Sequence, residues 1–348
     1  MSWNAGGLSV CETEDQDIAN ASRKSFTNYV RRAPPCVAPE FLEDLRFKVG
    51  EYEPTLVVIA TQNESLKRSY FHDKSLLSAM KAMNFQRLVH EKASVKTGKR
   101  QFNPLAVEMS IFMFKGQSYK LDKKSIHHPL CEFSSQKTMA AIICTLSHPL
   151  AGKQSFVALH TLARLTAQTD YRSSDRSGAI YSEQQMVTTI SQRCTDMMLM
   201  PILNRLGGSV TIAGDFHQAM DFDTDDYLAQ KAEVARLRGD LRQLQAEDPL
   251  TEFRRERMPN FVEGVNDDGP DFFPTCGLRV GRDPECIESD LEACYPIART
   301  GYLGWCNRIL YRPSQVTNVL GHFVAYERVD ILRLHESDQA AVLAVIED

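Results

Sequence analysis

The chain has 348 residues, of which 43% are hydrophobic and 24% are charged, a composition typical of a folded globular protein. Its 40 lysine and arginine residues against 45 aspartate and glutamate residues give a formal net charge of -5. Because charge-driven nucleic-acid binding needs a strongly basic face, this balance argues against a nucleic-acid partner. No apolar run reaches the roughly 18 to 20 residues of a membrane span, so no transmembrane segment is predicted.

The nine cysteines are odd in number and scattered, without a Cys-x-x-Cys pair. This pattern favours reduced thiols in the cytoplasm over a disulfide framework or a structural zinc site. The amino-terminal residues show no basic stretch followed by a long apolar one, so no secretory signal peptide is expected.

Short apolar runs and helical patterns alternate along the chain, and no linker divides it. In chain order the pattern predicts a helix at 40–47, a buried strand at 54–60, an amphipathic helix at 75–89, strands at 106–114, 137–146 and 155–159, a helix at 186–206, a strand at 210–213, a charged helix at 226–247, and strands at 309–311 and 323–332. We therefore predict one α/β domain over residues 1–348 with more than one sheet layer.

Six short segments stand out as an ordered set. They are Ser2-Trp3-Asn4-Ala5-Gly6-Gly7, Ala60-Thr61-Gln62-Asn63-Glu64, Phe156-Val157-Ala158-Leu159-His160, Ala213-Gly214-Asp215-Phe216-His217, Phe273-Pro274-Thr275-Cys276 and Trp305-Cys306-Asn307-Arg308-Ile309-Leu310. In this order the set resembles the T-W-N-x-G, Q-E, N-S-H-L, G-D-[FL]-N, F-x-P-T-[YF]-K and W-C-D-R-I-L segments of the inositol polyphosphate 5-phosphatases, in the endonuclease/exonuclease/phosphatase superfamily. The residues around Asp248 and Glu263 also resemble the family's D-Q-L and F-x-E-G. The family's last segment, S-D-H, corresponds to Gly321-His322, and the resemblance covers about residues 2–330.

The resemblance implies a four-layer α/β/β/α sandwich of two packed mixed sheets, the DNase I-like fold. It also implies hydrolysis of a phosphomonoester by direct attack of water, with Mg²⁺ as cofactor; such chemistry depends on positioning and charge neutralisation. The site residues that it carries over are Asp215, His160, His322 and Asn307 as catalytic groups, His217, Arg308 and Arg299 as substrate-binding groups, and Asn4 and Glu64 as metal ligands. In this scheme Asp215 activates the water, the two histidines bind the phosphate, and Asn307 orients His322.

The departures from the family pattern fall on this same chemistry. Asn63 stands where the metal carboxylate is expected, and the replacements of other polar family residues are Ala158, His217, Asn307, Gly321 and Gly277. Because a one-residue slip turns a side chain to the opposite face of a strand, Glu64 serves only if a local bulge re-aims it. Losing one preorganised donor typically costs about a hundred- to thousandfold in rate, so a weakened activity is expected.

Two functions therefore stay open. One is a weakened phosphatase acting on inositol polyphosphates or phosphoinositide headgroups, and the other is an inactive pseudophosphatase serving as a binding or scaffold module. A nuclease of the same superfamily fits less well, because the W-C-x-R-I-L and F-x-P-T segments are 5-phosphatase features. The basic segment 92–100 is a candidate for contact with an anionic membrane, with a plain exposed loop as the alternative. The expected location is thus the cytoplasm, extending to the membrane surface.

Overall fold

The computed structural model describes residues 2–4, 39–65, 74–95, 105–128, 139–161, 192, 195–216, 245–246, 248–272, 274–275, 304–315, 321–329 and 341–348. The strands are β1 (Ser2–Asn4), β2 (Leu56–Ser65), β3 (Phe85–Val95), β4 (Leu105–Phe114), β5 (Lys120–His127), β6 (Met139–His148), β7 (Gly152–Thr161), β8 (Ser209–Asp215), β9 (Asn307–Arg312), β10 (His322–Val329) and β11 (Ala341–Glu347). The helices are α1 (Pro39–Tyr52), α2 (Lys74–Ala82), α3 (Met200–Leu203), which follows a π-helical turn at Thr195–Leu199, and α4 (Pro249–Arg257).

The strands form two mixed sheets. Sheet A has six strands in the order β10-β11-β1-β2-β4-β3, and sheet B has five in the order β5-β6-β7-β8-β9. The pairs β1–β2 and β7–β8 are parallel, and the other pairs are antiparallel. No described helix is long and apolar enough to cross a bilayer.

The buried side chains separate into three apolar layers, as the alternation of side chains along a strand requires. The layer between the sheets includes Ala60, Met109, Ile142, Ala158, Ala213 and Ile309. The outer face of sheet A packs under α1 and α2 through Leu45, Ile59, Met80 and Phe112, and the outer face of sheet B packs under α3 and α4 through Leu159, Leu203, Ile212 and Phe253. Helix, sheet, sheet and helix therefore lie in four layers, and the predicted sandwich is confirmed.

The side chain of Asp348 fixes how the two sheets are aligned. Its Oδ1 accepts a hydrogen bond from the Tyr311 hydroxyl at 2.7 Å, and its Oδ2 accepts hydrogen bonds from Gln154 Nε2 at 3.0 Å and from the Ser209 hydroxyl. Asp348 directly follows β11, which is antiparallel to β1, whereas Gln154 and Ser209 lie where β7 and β8 begin. The strands β1, β2, β7 and β8 therefore all finish at one end of the sandwich, here called the carboxyl end. The opposite end is called the amino end.

One predicted helix is shorter in the structure than expected, and its last part is a strand. The helix expected at 75–89 stops at Ala82, and Phe85 begins strand β3. Asn84 has a φ of 68°, a left-handed conformation that ends a helix, so the apolar spacing of the following residues belongs to a strand. Strands β5 and β11 and helix α4 were not predicted, and the helix expected at 226–247 lies outside the described residues except for 245–246.

The cysteines depart from the expectation of reduced thiols. Cys144 is free and buried, and burial raises the pKa of its thiol to about 12, so the thiol is unreactive at neutral pH. Cys306 is disulfide-bonded, and its partner lies outside the described residues. Scattered spacing in the sequence did not reveal this pairing, because disulfide geometry depends on distance in space.

Candidate functional site

Three polar side chains lie side by side at the carboxyl end of sheet B. His160 on β7 pairs with Asp215 on β8, and Asp215 pairs in turn with Asn307 on β9. Directly paired residues project from the same face of a sheet. All three side chains are buried. Three of the four predicted catalytic residues are therefore brought into one row.

The alternation of side chains shows which face this row occupies. Residues two positions earlier or later on the same strands, Ala158, Ala213 and Ile309, belong to the core between the sheets. Side chains two residues apart on a strand point to the same face. His160, Asp215 and Asn307 thus face sheet A at the carboxyl end of the space between the sheets, where all three are buried.

The row is held by backbone contacts on both sides. The Asn307 N–H donates to Thr275 Oγ1 at 3.2 Å, and Thr275 belongs to the F-x-P-T segment. Thr161 Oγ1 donates to the carbonyl of Asp215 at 3.1 Å. His160 Nδ1 lies 3.9 Å from Asp215 Oδ2, a distance for electrostatic interaction but too long for a hydrogen bond. The geometry is therefore that of a preformed site in which the histidine and the carboxylate are neighbours.

Sheet A brings the two predicted metal ligands to the same end. Asn4 closes β1 and pairs with Gln62 on β2, whose side chain is buried. Strand β1 packs against β8 and β9, and β2 packs against β7 and β8. Asn4 and the end of β2 therefore lie across the core from the His160–Asp215–Asn307 row.

The pairing of β2 with β4 contains the bulge that Glu64 requires. Thr61 pairs with Glu108, so an uninterrupted ladder would place residue 63 opposite Ala106. The register shifts between these points, and Glu64 is opposite Ala106 instead. One extra residue in one strand is the definition of a β-bulge. Glu64 thus takes the register position expected for the residue after Gln62.

His322 lies at the amino end and is not brought to the row. It begins β10 and pairs with Glu347, whereas the other end of the same ladder pairs Val329 with Ala341. Its side chain is 60% exposed, and its Nε2 is 4.0 Å from Glu347 Oε2. The placement of His322 beside His160, expected from the sequence, therefore does not agree with the structure.

The neighbouring Gly321 also cannot stand for the aspartate of S-D-H. A Cβ atom added there would overlap the Tyr311 hydroxyl and lie 2.9 Å from the carbonyl oxygen of Glu347. Glycine is needed here because the backbone of β10 closes onto Tyr311. The S-D-H segment was therefore matched to the residues before β10, which is the wrong strand.

Strand β11, not β10, begins at the carboxyl end, since its first residue Ala341 pairs with the last residue of β10. In the sequence, Ser337-Asp338-Gln339 comes just before this strand. It reproduces two of the three residues of S-D-H, with glutamine in the place of histidine. The Ser-Asp pair was a signal in the sequence, and these residues lie outside the described part of the chain.

Arg308 has a packing role that sequence reasoning did not anticipate. Its Nε and Nη2 donate to the two carboxylate oxygens of Glu263, each at 2.5 Å, and its Nη1 donates to Asp248 Oδ2 at 2.9 Å. The Tyr326 hydroxyl donates to Glu263 Oε1 at 2.7 Å. Burial alone would lower the pKa of Arg308, but Asp248 and Glu263 outweigh it and raise that pKa above its usual value.

This network corrects the assignment of Arg308 to substrate binding. The side chain is fully buried, and by alternation it projects from the face opposite to Asn307. Its partners Asp248 and Glu263 belong to the segments that resemble D-Q-L and F-x-E-G. The network therefore joins these two segments to the W-C-D-R-I-L segment at the edge of sheet B. Arg308 therefore positions β9, and through β9 it positions Asn307.

The remaining predicted site residues are not described. His217 and Arg299 lie outside the described residues. For Asn4 and Glu64 the strand positions are described but the side chains are not. Most of the basic segment 92–100 is likewise outside, although β3 ends at Val95 and β4 begins at Leu105 at the carboxyl end.

A divalent cation at this end would need oxygen ligands, mainly carboxylates. Among the described side chains, the row supplies one carboxylate, Asp215, and no group of three His, Cys, Asp or Glu side chains occurs in the described part of the chain. The other predicted oxygen donors at this end are Asn4 at the end of β1 and Glu64 at the bulged end of β2, and the amide of Asn307 lies beside Asp215. The residues fit a cation only with Glu64 as the second carboxylate.

Comparison with known proteins supports the fold and leaves the family open. No family model matches the sequence, and no curated protein sequence is significantly similar to it. Among solved structures, a Cimex nitrophorin A21V mutant in its ferrous NO complex has a TM-score of 0.54 at 14% identity, covering 89% of this chain and 92% of that one. The inositol polyphosphate 5-phosphatase domain of SPsynaptojanin, in complex with inositol (1,4)-bisphosphate and a calcium ion, has a TM-score of 0.50 at 14% identity, covering 99% and 81%.

An endonuclease/exonuclease/phosphatase family protein from Bacteroides thetaiotaomicron is also similar, with a TM-score of 0.43 at 12% identity, covering 100% of this chain and 96% of that one. The two neighbours with TM-scores of 0.54 and 0.50 cover 89% and 99% of this chain, and they confirm the fold class predicted from the sequence.

Proposed function

We propose that the chain is a phosphomonoesterase of low activity whose substrate is an inositol polyphosphate or a phosphoinositide headgroup. The observation that carries the proposal is the row of His160, Asp215 and Asn307 in register on three adjacent strands. A carboxylate, an imidazole and an amide side by side supply the proton acceptor and the hydrogen-bond donors that hydrolysis of a phosphomonoester by water requires.

Each residue of the row has a separate part in the proposed reaction. Asp215 accepts the proton of the attacking water and orients it toward the phosphorus atom. His160 donates a hydrogen bond to a phosphate oxygen. The Asn307 side chain, next to Asp215, keeps the Asp215 carboxylate in position. His217 and Arg299 are proposed to bind the remaining phosphates of the substrate.

Asn4 and Glu64 are the residues that would hold Mg²⁺. The ion would supply charge neutralisation to the phosphate when bound. The bulge in β2 supports Glu64 as a ligand, because it gives Glu64 the register position that an uninterrupted ladder would give to residue 63.

A second function is favoured by one observation. Asn307 is an amide at the position paired with Asp215, so the described row has a single carboxylate. Ala158, in the place of an asparagine of N-S-H-L, lies in the apolar core and contributes no polar group. A cleft of this kind can bind an inositol phosphate without turning it over, which is the pseudophosphatase alternative.

The structural neighbours allow either outcome. One of them is an inositol 5-phosphatase domain in complex with inositol bisphosphate, and another is a nitrophorin in a ferrous NO complex. Because one fold hosts unrelated functions, the residues of the site must decide. The predicted cytoplasmic location remains part of this proposal, and contact of segment 92–100 with a membrane remains a prediction.

The test is phosphate release from inositol trisphosphate and from phosphatidylinositol bisphosphate vesicles, with Mg²⁺ and with a chelator. For Asp215→Ala we expect at least a hundredfold loss of Mg²⁺-dependent release. Asp271→Asn, at an exposed position, is the matched control and should leave the rate unchanged. Binding of inositol trisphosphate is measured in parallel by calorimetry.

The outcomes separate the two functions. Release that is lost in Asp215→Ala supports the phosphatase. Binding that needs His160, without release, supports the pseudophosphatase. If the chain neither binds nor hydrolyses these compounds, both functions are refuted.

A further inference from the structure

The turn between β6 and β7 presents the most exposed large apolar side chain among the described residues. Leu150 is 88% exposed, compared with 67% for Phe47, the next in order. The turn lies at the amino end of the sandwich, because β7 begins at Gly152. It plays no part in the site proposed above.

The turn that carries Leu150 is fixed by its neighbours. The N–H groups of Leu150 and Ala151 donate to His148 Nδ1 at 3.3 and 3.2 Å. The His148 ring packs at a tilt against the Tyr119 ring with centroids 4.5 Å apart, and the Tyr119 hydroxyl is 3.2 Å from Oγ1 of Thr55, the residue before β2 of sheet A. The leucine is therefore held outward by a defined backbone.

Lysine side chains surround the base of this turn. Lys120 and Lys153 both pair with Ser147, one from each side, so they lie on the same face of sheet B. Both are exposed, as is Lys123 on β5. Asp122 is nearby, and its Oδ1 accepts a hydrogen bond from the Ser147 hydroxyl at 2.7 Å. This face of sheet B therefore carries three lysines and one aspartate at the amino end, although the whole chain has a net charge of -5. Asp348 lies at the same end but accepts a hydrogen bond from Gln154, whose side chain projects from the opposite face of β7.

We propose that this corner, formed by Leu150, Lys120, Lys123 and Lys153, binds the surface of an anionic lipid bilayer. Leu150 would enter the acyl boundary, and the lysines would contact lipid phosphates. A convex tip with one apolar side chain suits a soft surface, whereas a stable protein interface buries about 800 Å² on each partner. Each lysine near an anionic bilayer contributes roughly a fivefold gain in binding.

The position of the corner also bears on the substrate. His160 lies eight residues beyond Gly152 on β7. At about 3.3 Å per residue the two are roughly 26 Å apart along the strand. A chain held by the corner presents its cleft to the aqueous phase. Resting on the proposed function, this favours a dissolved inositol phosphate over a headgroup of the same bilayer.

The experiment is cosedimentation of the full chain with phosphatidylcholine vesicles, with and without phosphatidylserine, at low and high salt. For Leu150→Ser we expect about a tenfold weaker binding. For the double variant Lys120→Gln with Lys153→Gln we expect a loss of about 25-fold, together with a loss of most of the salt dependence. Phe47→Ser and Lys81→Gln replace an exposed apolar and an exposed basic residue elsewhere and serve as matched controls.

Three results would overturn the proposal. They are no binding to phosphatidylserine vesicles at low salt, equal weakening by the control substitutions, and loss of binding only when the basic residues of segment 92–100 are replaced. The last result would assign membrane contact to the carboxyl end. Vesicle binding is measured without hydrolysis, so its failure leaves the phosphatase proposal untouched.

Discussion

Replacing Arg308 tests whether the motif segments are held together by its ion pairs. The variant Arg308→Met leaves the carboxylates of Glu263 and Asp248 buried without their cation. Breaking a buried ion pair by removing one partner costs about 3–5 kcal/mol, because the remaining charge is not solvated. Arg308 is fully buried and makes three hydrogen bonds to the two acids, so we expect a loss within this range.

Urea unfolding followed by tryptophan fluorescence measures this loss. Trp305 is a suitable probe, because it is buried and its Nε1 donates to the carbonyl of Phe272 at 2.8 Å. Arg255→Met, at an exposed position on α4, should change the free energy of unfolding by less than about 0.5 kcal/mol. Adding Glu263→Gln to Arg308→Met should recover part of the loss. A loss below about 1 kcal/mol for Arg308→Met would show that water reaches the network.

Three further changes test other parts of the structure. In Gly214→Ala, the new Cβ would lie 2.5 Å from the Leu159 carbonyl oxygen, so we expect a loss of about 1–3 kcal/mol in urea unfolding, and an unchanged midpoint would contradict the close strand contact. Burial and the adjacent Glu263 raise the pKa of Tyr326 well above its usual value near 10. The contribution of this raised pKa to the free energy of unfolding is therefore fully present below about pH 10 and is lost as the pH rises further. The stability of Tyr326→Phe should for this reason fall less steeply with rising pH than the stability of the parent chain. Gly321→Asp should lower the melting temperature without increasing phosphate release, and a gain in Mg²⁺-dependent release would restore the S-D-H assignment at Gly321.

The fold was predictable because its signal is repeated along the chain. Buried strands such as β2 and β8 contain continuous runs of β-branched or apolar residues, and such runs can be recognised from composition. The edge strand β5 was missed because it is mostly exposed and rich in lysine, so it has no apolar pattern to detect. Strand β11 is an apolar run that periodicity alone does not distinguish from a helix segment, and the S-D-H resemblance at Gly321-His322 indicated β10 as the last strand of the fold.

The site was predictable only where a motif residue ends a strand. His160 and Asp215 were assigned from short segments, and pairing across β7 and β8 places them together. The position of Glu64 required a bulge, which sequence periodicity cannot show because the extra residue looks like any other. Arg308 was misassigned because a buried ion pair and a phosphate-binding arginine look identical in sequence.

The motif segments therefore carry two kinds of information that the sequence does not separate. Asp248, Glu263 and Arg308 are joined in one buried network, and they reproduce their motif letters, whereas the replacements fall among the residues assigned to the chemistry. Removing one member of a network of buried charges is strongly destabilising, because it leaves an unpaired charge. A chain that loses one residue of its catalytic row can still fold. The resemblance at Asp248, Glu263 and Arg308 therefore reflects what the fold requires, and it gives no information about catalytic activity. We expect hydrolysis of a phosphate ester by this chain to depend on Asn307, the amide paired with Asp215, and on Glu64, which the bulge places near the end of β2 at the carboxyl end.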